Sequence, residues 1–447
     1  MYIEKSAHRS LGFGRRLALV VAGLVLAGMA WAGCGGGSDD GGDGEKAASN
    51  PGVPQVDVKF GMQPFGDHTI YVAGMTNGWY EDVGINIQPQ PLGREVPPGE
   101  ATQMLLSGEL DLVTEYTPLA VQEMGQVPDV KVAGFDSINF GTFVFANPDL
   151  NLKTLEERME EGQSLEEAMA DIGDEMRGKN HAVEASGFHR IFYNTVQKLG
   201  GIDFSKDLNL SVLEDPQIIQ QALGGKLDFA SPAGVAQMVQ LFQEGWTPLV
   251  SLQTFVEELP AKQTAPMLGN SGWKSTEEYL KGNHDTVLRF TSVMFRIIDA
   301  ITTDPAGTLG EQAEYLARVG GTDIGVEGLE QVLLEIDPLG TFEDQADWWV
   351  NKDSNYYFEN LYQPQIAAAQ AGGVLPKGKD LKATDLIVGN EYYQELVDLK
   401  AEYDDKVKQL DGADLSGDKQ SLADAAASQY DAFNYLDAVR LLEEALG

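Results

Sequence analysis

The chain has 447 residues, 43% of them hydrophobic and 22% charged, with a formal net charge of −38. That is ordinary globular composition, long enough for two or three compact units. So acidic a surface argues against nucleic acid as a partner, because phosphate contacts need clustered Lys and Arg. It argues equally against docking on anionic lipid through a basic face. The single cysteine, Cys34, leaves no intramolecular disulfide and no Cys-based zinc site.

Residues 1–33 read as an address. Arg15 and Arg16 precede an apolar run from Leu17 to Ala30, and small residues follow, which is the layout of a secretory signal. Ala32-Gly33-Cys34 resembles a bacterial lipobox, in which the cysteine thiol is diacylated and becomes the new N-terminus. Trp31 stands where that motif usually has Leu, and Ala30-Trp31-Ala32 also reads as a non-lipid cleavage site. Residues 34–54 hold almost no apolar side chains, so they cannot offset the entropy of ordering and read as a disordered leash.

The body reads as alternating strands and helices. Val56, Val58, Phe60 and Met62 alternate with Asp57, Lys59 and Gly61, which predicts a strand. A helix is expected over 67–82, stopped at Gly84. A strand begins at Ile85, a helix at 98–107 follows, and strands are expected at 110–113 and 130–135. This order implies a mostly parallel sheet with helices on both faces. The grammar then repeats, with strands at 143–146, 181–185, 208–213 and 227–230. Between them lie an acidic helical stretch over 152–177, a helix capped by Ser186, and one opened by Asp215-Pro216. Leu106-Ser107-Gly108-Glu109-Leu110-Asp111 is echoed by Leu223-Gly224-Gly225-Lys226-Leu227-Asp228, as two similar α/β lobes would produce. From residue 275 onward the chain reads as mainly helical.

Several stretches in this order resemble the periplasmic-binding family for alkanesulfonates, taurine, nitrate and thiamine pyrimidine precursors. They are Val58-Lys59-Phe60-Gly61, Tyr71-Val72-Ala73, Gly78 to Ile85, and the two echoed segments. The resemblance implies an α/β, two-lobed type II periplasmic-binding-protein fold with two crossovers, here with a helical C-terminal extension. The domains expected are a signal peptide at 1–33, an anchor and linker at 34–54, and a discontinuous lobe one at 55–138 and 256–400. Lobe two takes 139–255 and the extension 401–447. Crossovers are expected near 136–141 and 255–261. The acidic insertion at about 155–177 and the tail beyond about 400 depart from the family pattern.

In open parallel sheets a ligand sits beyond the carboxyl ends of the strands. That rule selects Gln63, Phe65 and His68, then Thr114, Glu115 and Tyr116, then Asn139. On the second lobe it selects Ser186, Gly187, Phe188, His189, Asp215 and Ser231. The Ser186 turn opens a helix, so its free N–H groups suit a carboxylate, sulfonate or phosphate; the same serine also serves as a plain helix cap. Phe65 and Tyr116 are candidates to stack on a flat ligand or to pack on the core. Trp79, Tyr80, Trp348 and Trp349 read as packing residues.

No nucleophile elbow, HExxH pair or Walker loop occurs, and Asp411 to Asp418 lacks the spacing of a calcium loop. Together with the family resemblance, which implies solute binding, this leads to an expected protein that is a monomeric, non-enzymatic solute-binding lipoprotein with no cofactor and no metal. It is tethered outside the cytoplasmic membrane by Cys34 and delivers a small molecule to an ABC permease. The ligand classes open at this point are a sulfonate, an amine zwitterion and a pyrimidine-like compound. Two other readings remain: a pyrimidine-precursor biosynthetic enzyme of the same fold, and a surface lipoprotein that binds another protein.

Overall fold

The computed structural model describes residues 53–97, 99–184, 189–320, 323–410 and 416–447. The signal, Cys34 and the leash lie outside the described residues, as do Ser186, Gly187, Phe188 and the 411–415 turn. The described residues belong to one compact unit. Among the described residues no helix is long and apolar enough to cross a membrane.

Among the described residues, eleven strands form two sheets. The first holds β1 (Val56–Met62), β2 (Ile85–Gln88), β3 (Arg94–Glu95), β4 (Leu112–Tyr116) and β5 (Val130–Asn139). It is completed by a late strand whose label follows the second sheet in chain order. That second sheet holds β6 (Phe143–Ala146), β7 (Asn180–Glu184), β8 (Asn209–Leu213), β9 (Phe229–Ser231) and β10 (Thr247–Ser251). The late strand is β11 (Gly269–Thr276). The orders are β2-β1-β4-β11-β5, with β3 on β1, and β10-β6-β9-β7-β8. Within the first, β11 runs antiparallel to both neighbours, inserted between β4 and β5.

The echoed segments do the same work in both sheets. Asp111 accepts a hydrogen bond from the Lys59 N–H at 2.8 Å, and Asp228 accepts one from the Asn180 N–H at 2.9 Å. Each aspartate thus anchors the strand it precedes to the neighbouring parallel strand, in addition to the ladder bonds.

Several expected boundaries move. The 67–82 helix breaks at Asn77-Gly78 into Tyr71–Thr76 and Trp79–Asp82, after a short 3-10 turn at Asp67–Thr69. The acidic stretch is two helices, Leu155–Glu160 and Leu165–Met176. Gly162 sits at φ 101, a conformation costly for any side chain, and Ser164 restarts the chain with a capping box to Glu167. The second helix buries Leu165, Ala168, Met169, Ile172 and Met176 on one stripe, so its acids face out. The second crossover is itself helical, Leu252–Glu258 followed by Ala261–Thr264. Strands β10 and β11 were not expected. Trp348 and Trp349 pack as expected, the latter stacked on Phe135 at 4.2 Å.

The long helix His284–Thr303 backs the first sheet, where Phe290 meets Phe60, Tyr71, Tyr80 and Trp273 within 6 Å of centroid separation. Burying one such ring stabilises by about 2–3 kcal/mol. The same helix holds the C-terminal helices Gly389–Leu410, Gly417–Asp431 and Tyr435–Leu446 through a bidentate pair between Arg289 and Asp437, at 2.8 and 2.9 Å. Asp437→Ala strands the buried Arg289 guanidinium without its counterion. The expected loss is about 3–5 kcal/mol of unfolding free energy, read as a lowered urea midpoint. An unchanged midpoint would show that the extension is not fastened there.

Candidate functional site

The strand directions fix where a site can lie. In the first sheet the carboxyl ends of β1, β4 and β5 and the start of β11 share one edge, since Tyr116 pairs with Ser271 and Asn139 with Gly269. In the second sheet the ends of β7, β8 and β9 share an edge with the end of β10 and the start of β6, where Ser251 pairs with Phe143. Three residues, Phe140, Gly141 and Thr142, carry the chain from the first edge to the second. Three residues reach roughly 10–14 Å at full extension, so both tip edges must stand close at this point. The return link is bonded to it, with the Leu252 N–H donating to the Thr142 carbonyl at 2.9 Å.

At the first edge the loop after β1 carries Phe65, Asp67 and His68. Gln312 pins this loop by donating to the Gly66 carbonyl at 2.8 Å. Asp67 accepts from the His68 N–H at 3.0 Å and from the Ser137 hydroxyl at 3.5 Å. His68 Nε2 bonds the Ser271 hydroxyl at 3.2 Å, and its ring meets Phe65 edge-on at 5.4 Å. Phe65 is 46% exposed, the only side chain of this group that is open to solvent. Asp136, at the crossover end of β5, accepts from the Tyr71 hydroxyl at 2.8 Å. Asp337 arrives from a distant segment that clasps the crossover. Its carboxylate accepts from the Gly141 N–H at 3.3 Å, while the Phe140 N–H donates to the Ile336 carbonyl at 3.2 Å.

Asp67, Asp136 and Asp337 are all buried, and the Asp67 charge acts on each of the other two. Burial and then the Asp67 charge push the Asp136 carboxyl up to about 8, and the same two causes hold Asp337 well above the carboxylate range. Burial first, then Tyr362, Asp337 and Asp67, raise the Tyr116 phenol. Among the described residues the buried Lys and Arg side chains are Arg158, Lys274 and Arg289. Each is paired elsewhere, with Glu175, Glu115 and Asp437 respectively.

The expected site residues divide. Phe65, His68, Tyr116 and Asn139 lie at the tip edge, with Asn139 as the last residue of β5. Gln63 and Thr114 are turned inward on each other: the Gln63 N–H donates to the Thr114 hydroxyl at 2.9 Å, and the Gln63 amide to the Thr114 carbonyl at 3.1 Å. Glu115 is neither exposed nor open to a ligand, because its carboxylate pairs with the buried Lys274 ammonium and accepts from the Tyr116 N–H at 2.9 Å. The reason is that β4 runs on to Tyr116, so Thr114 and Glu115 are strand residues and not the loop after it.

On the second edge, the Ser231 hydroxyl bonds His181 Nε2 at 3.0 Å. Asp215 accepts from the Ala233 and Gly234 N–H groups at 3.0 and 2.6 Å, and the helix cap there is Glu214. His189 is buried, its N–H donating to Glu184 at 3.3 Å, and burial lowers its imidazole to about 4. Arg190 faces out. Asp67, Asp136 and Asp337 were missed. Asp67 and Asp136 sat in segments already assigned to the cleft and gave a usable signal; Asp337 gave none.

Residues 52–232 match the NMT1-like family. No curated protein matches the sequence. Among solved structures, the periplasmic sulfonate-binding protein SsuA from Methylobacillus flagellatus KT is similar at 13% identity and TM-score 0.51, covering 78% of this chain and 96% of its own. SsuA from Escherichia coli follows at 13% identity and TM-score 0.49, over 74% and 92% of the two chains. The nitrate-binding protein NrtA from Synechocystis PCC 6803 follows at 16% and 0.47, over 77% and 89%. The first of these likenesses carries the fold: a two-lobed type II periplasmic-binding-protein architecture with an added helical C-terminal region.

The raised Asp136 carboxyl makes a signed prediction. A carboxyl whose folded value lies above its unfolded one contributes its stability below the unfolded value and loses it as pH rises. Asp136→Asn keeps an acceptor for Tyr71 and removes the charge. The variant should therefore gain on the wild type between pH 4 and pH 8, by up to about 1.4 kcal/mol per unit. Thermal melts across that range check it, and parallel curves would refute it.

Proposed function

We propose that this chain, NMT1-like over residues 52–232 and built on the type II periplasmic-binding-protein fold, captures a small organic solute between its two lobes. It then passes that solute to an ABC permease. The observation that carries the reading is the meeting of both strand-tip edges at a three-residue crossover. Two sheets arranged so leave a groove lined by strand ends and loops, and only two links must bend for it to close. Lobe one is assigned to 55–138 and 256–400 and lobe two to 139–255, with β5 running one residue past that border.

The protein acts as a binder and not as an enzyme in this reading. Tyr116 and Phe65 offer faces to a ligand on the first edge, and His189 and Asp215 bound it on the second. Cys34, the only cysteine, is the proposed lipid attachment point, which puts the folded body outside the cytoplasmic membrane as a tethered monomer.

Two measurements check this. Calorimetry and small-angle scattering with sulfonates, pyrimidines and amines should give one class with saturable heat and a smaller radius of gyration. At 100 times its Kd that ligand adds about 2.7 kcal/mol to stability. Heat without compaction would remove closure from the account. Separately, Cys34→Ser should release the protein from the membrane fraction into the medium, and a membrane fraction unchanged by it would sink the anchor.

A further inference from the structure

We infer that the solute carries a cationic head group, a protonated amine, held by Asp67 and Asp337 at the crossover edge. The inference rests on the capture reading and names the chemistry of its ligand. Asp67 and Asp337 are both buried and both bonded at the crossover end of β5, to Ser137 and to Gly141, and every buried Lys or Arg among the described residues is committed to another acid. Buried polar atoms at the same edge without a hydrogen-bond partner include Asp337 Oδ2, on a residue 1% exposed, His68 Nδ1, on a residue 2% exposed, and Asp136 Oδ1.

An unpaired buried carboxylate is costly, and nature either protonates it or gives it a cation. Asp136 holds its proton near neutral pH because burial and then the Asp67 charge raise its carboxyl to about 8, against the lowering effect of the bond it accepts from the Tyr71 hydroxyl. Asp67 and Asp337 remain as the acceptors for a positive head. A metal ion fits less well, because among the described residues no cluster of three acids or histidines has the geometry to hold one. An ammonium asks only for two or three acceptors and a wall to lie against. Tyr116, paired with Ser271 at the same edge, supplies a half-buried ring, and Phe65, open at the rim, supplies the outer one; aromatic faces attract cations. An anionic sulfonate or nitrate at this edge would face two acceptor carboxyls, Asp67 and Asp337, and no free cation among the described buried residues.

Binding such a cation replaces protons on the cluster, so uptake should release them to the buffer. The titratable groups around it are Tyr71, Tyr116 and His68, besides the three acids.

The test uses the purified full chain and a panel of probes: methylammonium, benzylamine, choline and 1,4-diaminobutane, against benzyl alcohol, ethanesulfonate and nitrate. At least one amine should raise the melting temperature and bind calorimetrically, with an enthalpy that differs between Tris and phosphate as proton release requires. Benzyl alcohol, which has the shape of benzylamine without its charge, should bind at least tenfold more weakly. Asp337→Asn should weaken the amine at least tenfold. It should melt no lower than wild type without ligand, since it removes a repelled charge; that keeps a folding defect distinguishable from lost recognition.

Amine affinity unchanged in Asp337→Asn overturns the inference. So does compaction by ethanesulfonate or nitrate with no response to any amine, although solute capture then stands. If no probe of any charge gives heat or compaction, capture fails as well.

Discussion

Three carboxyl groups buried together without an internal cation set the terms for the rest of the cleft. Burying one ionised acid is expensive, and burying three within reach of each other is untenable unless protons or a guest intervene. Asp67, Asp136 and Asp337 come from the loop after β1, the end of β5 and the clasp segment beyond residue 331. Such a cluster does not help the protein fold. A protein that keeps it spends stability at the place where its two halves join, which is where a binding protein needs its guest to matter.

The surroundings hold that cluster firmly. Gln312 fixes the Gly66 turn, Asp337 and Ile336 clasp the Phe140–Gly141 link, and Asn270 donates to the Ser137 carbonyl at 3.1 Å while bonded to Tyr362. Each of these is a polar group inside the protein with a partner, the condition under which buried polarity is tolerated. The helix Val332–Ile336 just before Asp337 is a π-helix, a wound-out turn that recurs near functional sites.

Much of the fold was legible because its signals are local. The alternation of Val56, Val58, Phe60 and Met62, and the matched Leu-x-Gly-x-Leu-Asp joints, follow from neighbours in the chain. Strand β11 was not legible. Its sequence GNSGWKST is polar and Gly-rich, yet seven of its eight residues are buried, because two neighbouring strands and specific hydrogen bonds satisfy it. The expected site went wrong at Glu115 for the same reason: its partner, Lys274, stands 159 residues away. Phe65, His68 and Tyr116 were reachable from strand ends alone, whereas Asp337 depends on a contact with Gly141 across 196 residues. The Ser186–Phe188 turn lies outside the described residues.

The shortness of the first crossover limits how the halves can travel. Phe140, Gly141 and Thr142 are bonded on one side to Asp337 and Ile336 and on the other, through Thr142, to Leu252. Sliding one sheet past the other would tear both connections, but swinging about the line from Gly141 to Leu252 would leave them whole. A jaw hung this way opens widest at the lip and scarcely at all at the root. In the proposed capture, a guest bound at the root would be gripped in nearly the same geometry throughout the swing, and whatever it projects toward the lip would set how far the outer loops shut.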